Sequence, residues 1–180
     1  MITRLPQLTS SGPLLPLIRI LFDITLLRKG PESLPASGML LVLAILLSLL
    51  SSLTAVALID RFDEDDFFLG LFSSVVGLSC YAGILVLSGR SARMLQTLSA
   101  IVGTGALIVF AFVAEYVLLT PVFGDATSGL VATVILLWSV PVEGHIIARA
   151  IDRHWYLGLV LAVGVFVVQY AMNLAISVEQ

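Results

Sequence analysis

Five apolar stretches dominate this sequence, and each is long enough to cross a lipid bilayer as a helix. They run from 37 to 59, 67 to 88, 95 to 119, 127 to 148 and 155 to 177. A hydrocarbon core of roughly 30 Å needs about 20 helical residues, and a segment inside it must be helical because no water is available to its backbone. The sequence therefore predicts an all-α fold, a polytopic membrane bundle of five transmembrane helices.

The composition agrees with a membrane protein and excludes several other classes. Of the 180 residues, 59% are hydrophobic and 12% are charged, whereas a soluble domain carries about 25% charged residues. The net charge of -3 offers no basic excess, so no nucleic-acid partner is predicted. The single cysteine, Cys80, excludes a disulfide within the chain.

Two parts follow from this layout: an N-terminal segment over 1–36 and a transmembrane domain over 37–180. The apolar stretch from 14 to 28 is too short to span a membrane, so it predicts an interfacial helix. A cleavable signal peptide is the competing interpretation. The basic pair Arg28 and Lys29 disfavours it, because this pair follows the apolar stretch instead of preceding it.

The distribution of basic residues predicts the orientation. Arg61 alone falls on one side of the five predicted spans, and the other eight fall on the opposite side: Arg4, Arg19, Arg28, Lys29, Arg90, Arg93, Arg149 and Arg153. Basic residues in short loops are retained in the cytoplasm, so we expect a cytoplasmic N-terminus and an external, periplasmic C-terminus. The short loops favour a bacterial inner membrane. The expected partners are the lipid bilayer, other membrane proteins or a second copy of the chain.

Two glutamates inside the predicted spans are the main functional candidates, since charge within hydrocarbon is costly and usually faces the bundle interior. Glu115 is expected roughly 6 Å below the outer edge and Glu143 roughly 8 Å from the inner edge. They would then lie in opposite halves, too far apart for a paired-carboxylate acid/base site.

The sequence around Glu143 suggests a polar pocket. Pro141 removes one helical hydrogen bond and is expected to kink the span, and Gly144 lets another helix approach closely. His145 lies two residues from Glu143 and so on a different face. Two metal ligands on one helix usually lie at positions i and i+4, so this pair would need ligands from other spans to form a metal site.

Alternative partners remain open for both glutamates. Glu143 is expected to pair with Arg90 or Arg93 at the same depth, which would lock the bundle. Glu115 shares its depth with Asn173.

Gln169, one turn from Asn173, lies on the same face, so these two and Glu115 could line an outer polar cleft. Alternatively, Glu115 pairs with Arg61, and Asn173 only forms a hydrogen bond between neighbouring helices.

No phosphate-binding loop, nucleophile motif or His/Cys cluster occurs in the sequence, so no enzymatic activity, cofactor or metal is predicted. Two functional hypotheses remain. The first is a scaffold or accessory subunit that acts through contacts with membrane proteins or lipids. The second is an oligomeric transporter or channel in which Glu143 or Glu115 responds to protons or cations.

An interfacial helix followed by five closely spaced spans resembles the Yip1-type membrane domain of eukaryotic trafficking proteins and bacterial inner-membrane proteins. The nearest sequence features are Gly30-Pro31 and Cys80-Tyr81-Ala82-Gly83. The Asp-Leu-Tyr-Gly-Pro and Gly-Tyr signatures of the eukaryotic members are absent. The resemblance therefore implies an architecture and assigns no role to any residue.

Overall fold

The computed structural model describes residues 14–59 and 64–178. Its main elements are six α-helices: α1 (Leu14–Thr25), α2 (Gly38–Leu58), α3 (Glu64–Leu87), α4 (Met94–Leu137), α5 (Ser139–Ala150) and α6 (Trp155–Val178). Short 3-10 turns lie at Pro31–Ser33 and Ser91–Arg93. The all-α prediction is confirmed for these ranges. Residues 1–13, residues 60–63, which include Arg61, and residues 179–180 lie outside the described residues.

Four helical segments among the described residues are long and apolar enough to cross a membrane. They are Gly38–Leu58, Phe67–Leu87, Ser91–Ala150 and Trp155–Ile176, and they are compatible with an integral membrane protein. The third has 60 residues and would measure roughly 90 Å as a straight helix, three times a hydrocarbon core.

That long segment folds back on itself at Gly124. This glycine has a φ of 76° and a ψ of 167°, which interrupts the helix. Glu115 precedes this glycine and Ser128 follows it, and the Ser128 hydroxyl donates a 2.6 Å hydrogen bond to Glu115 Oε1. Residues 13 positions apart would be roughly 20 Å apart in a continuous helix, so the chain reverses here. We call residues 94–150 the hairpin, with a first arm over 94–123 and a second arm over 125–150.

The reversal is tighter than the sequence suggested. Residues 120–126 were expected to form a loop between two spans, whereas the helical assignment continues on both sides of Gly124. Glycine adopts a positive φ without the steric cost that a side chain brings, so a single residue suffices to turn the chain. The two ends of the hairpin meet again where Arg93 Nη1 donates to Ala150 O over 3.1 Å.

Helix packing divides the bundle into two groups. α2 packs along α4, whereas α3 packs mainly against α6, and α5 lies between α4 and α6. The most buried side chains join these helices at the centre, among them Tyr81, Leu85, Val142 and Ile146. The neighbouring helices α2 and α3 make little contact with each other. This leaves a gap between the two groups, which becomes the candidate site.

Three helices end in the same way, with a residue of positive φ that closes a Schellman motif. These residues are Leu27 after α1, Gly89 after α3 and Asp152 after α5. In each motif the next residue donates back to the carbonyl five positions earlier, over 2.8 to 2.9 Å. Arg90, Arg93 and Asp152 meet beside these turns, and we call this end of the molecule the basic end.

Helix α1 lies against the hairpin and exposes its other face. Leu21 and Ile24 are buried, and Leu21 contacts the helix at Gly103 so closely that a Cβ there would lie 2.8 Å from Leu21 Cδ2. On the opposite face, Leu15, Ile18 and Phe22 are exposed. The helix ends at Thr25, slightly before the predicted end at residue 28.

Candidate functional site

A cavity of about 430 Å³ lies between α2 and α3, with the first arm of the hairpin as its floor. Its walls are apolar side chains together with small residues, among them Leu49, Ser52, Leu71, Gly70 and Gly105. Along α3 the lining extends from Phe67 to Tyr81, which corresponds to roughly 21 Å of helical rise. The volume falls within the roughly 300 to 1,000 Å³ of typical small-molecule sites.

Glu143 lies at the end of this cavity that faces the basic end. It projects from α5, and its Oε2 accepts a 2.5 Å hydrogen bond from the Tyr81 hydroxyl of α3. Tyr81 itself is almost completely buried, whereas the glutamate is only partly buried and lines the cavity. A carboxylate and its phenol partner therefore form the polar end of an otherwise largely apolar space.

The predicted pairing of Glu143 with Arg90 or Arg93 is wrong. Arg90 Nη2 lies 2.9 Å from Asp152 Oδ2, and Arg93 Nη1 lies 2.8 Å from Asp152 Oδ1. Arg93 also donates to the carbonyl of Arg149. These arginines pair at an exposed turn because burying both partners of an ion pair carries a large desolvation cost.

Asp152 is thus an unpredicted centre of charge at the basic end. The hydrogen bond from Arg93, reinforced by the nearby charge of Arg90, lowers the pKa of its carboxyl below the ordinary value. Its positive φ of 53° places it in the turn after α5, where it joins the start of the hairpin to the loop before α6. The cluster stabilises this end and leaves the cavity without an arginine.

Gln169 belongs to the cavity as well. Its Nε2 donates a 2.8 Å hydrogen bond to Ser73 O, which ties α6 to α3. Gly77 makes room for it, since a Cβ at this position would lie 2.5 Å from Gln169 Nε2. The structure therefore brings Gln169 to the same cavity as Glu143, instead of to the outer cleft expected around Glu115. Asn173, one turn further along α6, is partly buried.

Glu115 occupies a separate, closed environment near the reversal at Gly124. It is only 6% exposed, and Ser128, which donates to its Oε1, also shares a 2.7 Å hydrogen bond with Thr120. Within the described residues, its Oε2 is buried without a hydrogen-bond partner. The alternative partner Arg61 lies outside the described residues. Glu115 thus joins the two arms and does not line the cavity.

The helical hydrogen bonds are interrupted near Pro141, although Trp138 keeps helical dihedral angles. Helix α4 ends at Leu137 and α5 begins at Ser139, and proline at 141 cannot donate to the carbonyl of Leu137. Trp138, at the break, is 43% exposed and donates its indole N–H to Thr25 O over 3.0 Å. It therefore attaches α1 to the hairpin.

Gly144 provides the close approach predicted for it. A Cβ at this position would lie 2.9 Å from Leu159 Cα, so the backbones of α5 and α6 are in direct contact. Gly158 is the matching residue on α6, and a Cβ there would lie 2.6 Å from Ala148 Cβ. This crossing fixes the position of α5, and with it the position of Glu143 one residue earlier.

His145 takes part in neither the cavity nor a metal site. Its Nε2 lies 3.2 Å from Lys29 O, which links α5 to the segment after α1. Among the described residues, no group of three or more His, Cys, Asp or Glu side chains is placed to hold a metal ion. The chemistry of the cavity is therefore that of hydrogen bonding and charge.

Three residues were not predicted from sequence: Tyr81 and Gly158, which position Glu143, and Asp152 at the basic end. Tyr81 lies within an apolar span with no charged neighbour in the sequence, so nothing local signals its partner. Gly158 offered a usable signal, because Gly158 and Ala162 on α6 mirror Gly144 and Ala148 on α5 at four-residue spacing.

Comparison with known protein families, with curated proteins and with solved structures finds no match to this chain.

Proposed function

We propose that this protein is a membrane carrier that binds a small amphipathic molecule in the cavity between α2 and α3. The observation that supports it is the position of Glu143, at the end of a 430 Å³ cavity and bonded to Tyr81. An ionisable residue at membrane depth that faces a cavity is a functional candidate. A purely structural Glu143 would be expected to face a basic partner, and Arg90 and Arg93 both pair with Asp152 instead.

A carrier fits the geometry better than a channel. The cavity ends at Tyr81 and Glu143, and the fully buried Leu85 and Ile146 lie one turn nearer the basic end on the same helices. These side chains belong to the tightly packed core, so they close the space on that side. A molecule bound in the cavity would require a rearrangement of helices to leave toward the basic end.

The proposal includes a topology of five spans: α2, α3, the two arms of the hairpin and α6. The fold-back at Gly124 supports it, since each arm exceeds the roughly 20 residues that a span needs. The excess of basic residues at the basic end supports a cytoplasmic location for that end and for the N-terminus, in a bacterial inner membrane.

Cysteine labelling in intact cells tests this orientation. In a Cys80→Ser background, an impermeant thiol reagent should label Asp65→Cys from outside and should not label Ser91→Cys. The reverse pattern would invert the topology.

Helix α1 would then lie in the interfacial region. Its exposed Leu15, Ile18 and Phe22 form an apolar face, and an amphipathic helix of this kind lies along a membrane surface. This arrangement is also the basis of the proposed similarity to Yip1-type domains. The same exposed face favours the second candidate function, a scaffold or accessory subunit that contacts other membrane proteins or lipids.

Filling the cavity is the direct test of the carrier proposal. Gly105 lines the cavity, and a Cβ there would meet nothing within 4 Å, so Gly105→Leu should occupy the space without breaking the fold. Gly164→Leu is the matched control, because Gly164 also faces open space but lies outside the cavity lining.

The protein would be placed in phosphatidylcholine nanodiscs and titrated with octylamine, octanol, octanoate and octyl sulfate. At least one amphiphile should raise the melting temperature of the wild type and of Gly164→Leu, and should not raise that of Gly105→Leu. If none of them distinguishes the wild type from Gly105→Leu, the carrier proposal fails and the scaffold function replaces it.

A further inference from the structure

On α3 and α6, the hydrogen-bond donors that line the cavity are already used within the protein; the hydroxyls of Ser48 and Ser52 line it from α2, farther from Glu143. Tyr81 donates to Glu143, Ser74 donates to Gly70 O over 2.8 Å, and Gln169 Nε2 donates to Ser73 O. What these groups leave for a ligand is mainly acceptor capacity, in the carboxylate of Glu143 and the amide oxygen of Gln169. A ligand that satisfies this end of the cavity must therefore donate hydrogen bonds.

The charge at this end points in the same direction. Among the described residues that line the cavity, none is Lys, Arg or His, and Glu143 is the one carboxylate. The neutral phenol of Tyr81 supplies one hydrogen bond but no countercharge. Because an uncompensated charge at membrane depth is costly, a positively charged ligand would complete this site.

We infer that the cavity binds a primary alkylamine, with its ammonium group between Glu143 and Gln169 and its alkyl chain along α2 and α3. This assignment of ligand class rests on the proposed carrier function. Hydrogen bonds between charged groups are roughly twice as strong as neutral ones, so the ammonium group would be preferred over a hydroxyl. A carboxylate or sulfate would be repelled by Glu143.

The rest of the cavity suits the tail of such a ligand. Leu49, Leu71 and Val75 provide apolar walls, and the lining continues for roughly 21 Å along α3 from Tyr81 to Phe67. Ile45, Leu71 and Val75 are also exposed at the surface of the bundle. The ligand can therefore reach the cavity from the lipid, through the gap between α2 and α3.

The test compares four ligands of equal tail length on the wild-type protein in phosphatidylcholine nanodiscs, with empty nanodiscs to correct for partitioning. Octylamine should bind about tenfold more tightly than octanol, because a hydrogen bond to a charged group contributes more net free energy than a neutral one. Octyltrimethylammonium, which is charged but has no N–H donor, should bind more weakly than octylamine. Octanoate should bind most weakly. This ranking needs no variant, so it does not depend on whether a substitution folds.

Two matched variants then locate the site. Glu143→Gln removes the charge and keeps the size of the side chain, and it should abolish the preference for octylamine over octanol. Glu115→Gln makes the same change in the closed pocket near Gly124 and should leave this preference intact.

The outcomes separate the ligand class from the carrier function. If octanol binds as tightly as octylamine and Gly105→Leu still blocks both, the carrier proposal stands and the amine assignment is wrong. The assignment is equally wrong if Glu143→Gln keeps the wild-type preference, or if octyltrimethylammonium binds as tightly as octylamine. A preference for octylamine that is lost in Glu143→Gln and in Gly105→Leu supports both.

Discussion

Two pairs of helices in this bundle use glycine in opposite ways. Where α5 crosses α6, Gly144 and Gly158 allow the two backbones to touch, and a Cβ at either position would lie under 3.0 Å from atoms of the other helix. Around the cavity between α2 and α3, Gly70 of α3 and Gly105 of α4 border the open space, and a Cβ at either would meet nothing within 4 Å. Gly144 and Gly158 thus create a rigid support for Glu143, whereas Gly70 and Gly105 leave open the space that Glu143 faces.

This difference explains how a small bundle can hold a cavity without losing its shape. α3 has little support from α2, so other contacts must hold it. The Tyr81 hydroxyl reaches Glu143 on α5, and Gln169 on α6 reaches Ser73. Since α5 and α6 are locked together, both contacts attach α3 to one rigid unit. The comparison predicts that substitutions at the two sets of glycines have effects of opposite sign.

The largest effect is expected for Gly158→Ala. The added methyl group would meet Ala148 and the carbonyl of Gly144, and overpacking of this kind costs about 1 to 3 kcal/mol, sometimes more. We expect a clear fall in melting temperature in detergent and a loss of monodispersity. Gly164→Ala, on the same helix but in open space, should melt at or slightly above the wild-type temperature. Equal melting temperatures for the two variants would refute the close crossing.

A smaller effect of opposite sign is expected for Gly105→Ala. Its methyl group enters the cavity without a clash, and replacing a glycine within a helix by alanine stabilises by roughly 0.5 to 1 kcal/mol. The melting temperature should therefore rise by a few degrees. Gly144→Ala is the counterpart and should lower it, because its Cβ would lie 2.9 Å from Leu159 Cα. Shifts of the same sign at both positions would contradict the comparison between the two helix pairs.

The helices themselves could be predicted from sequence because long apolar runs leave few alternatives in a membrane. The predicted stretches 37–59, 67–88 and 155–177 match α2, α3 and α6 closely. Local chemistry also indicated the break near Pro141 and the close contact at Gly144. These features depend on residue type and spacing alone, so they can be inferred without knowing which helices are neighbours.

The partners of the buried polar groups could not be predicted in the same way. Depth along a span suggested Arg90 or Arg93 as the ion-pair partner of Glu143. Depth does not determine which face of α3 packs against α5. Tyr81, 62 positions away in sequence, supplies the actual contact. Gln169 likewise was expected in a cleft with Glu115, whereas it lines the same cavity as Glu143. Such pairings depend on helix rotation, which long apolar sequences specify poorly.

The smallest predicted effect concerns the basic end, where Asp152 holds Arg90 of the segment after α3 and Arg93 before α4. The hydrogen bond from Arg93 lowers the pKa of the Asp152 carboxyl in the folded protein. A carboxyl whose pKa is lower in the folded protein stabilises the fold at every pH above its unfolded pKa of about 3.9. This contribution is lost as the pH falls through the pKa of the folded state. Exposed ion pairs contribute little, so the change should be modest.

The measurement is the difference in melting temperature between the wild type and Asp152→Asn, followed from pH 7 downward. Asparagine tolerates the positive φ of this turn, so the variant removes the charge and keeps the backbone. The wild type should be the more stable of the two near pH 7, and the difference should vanish below the pH at which Asp152 is protonated. A difference in melting temperature that is independent of pH would show that Asp152 acts through the turn and not through its charge.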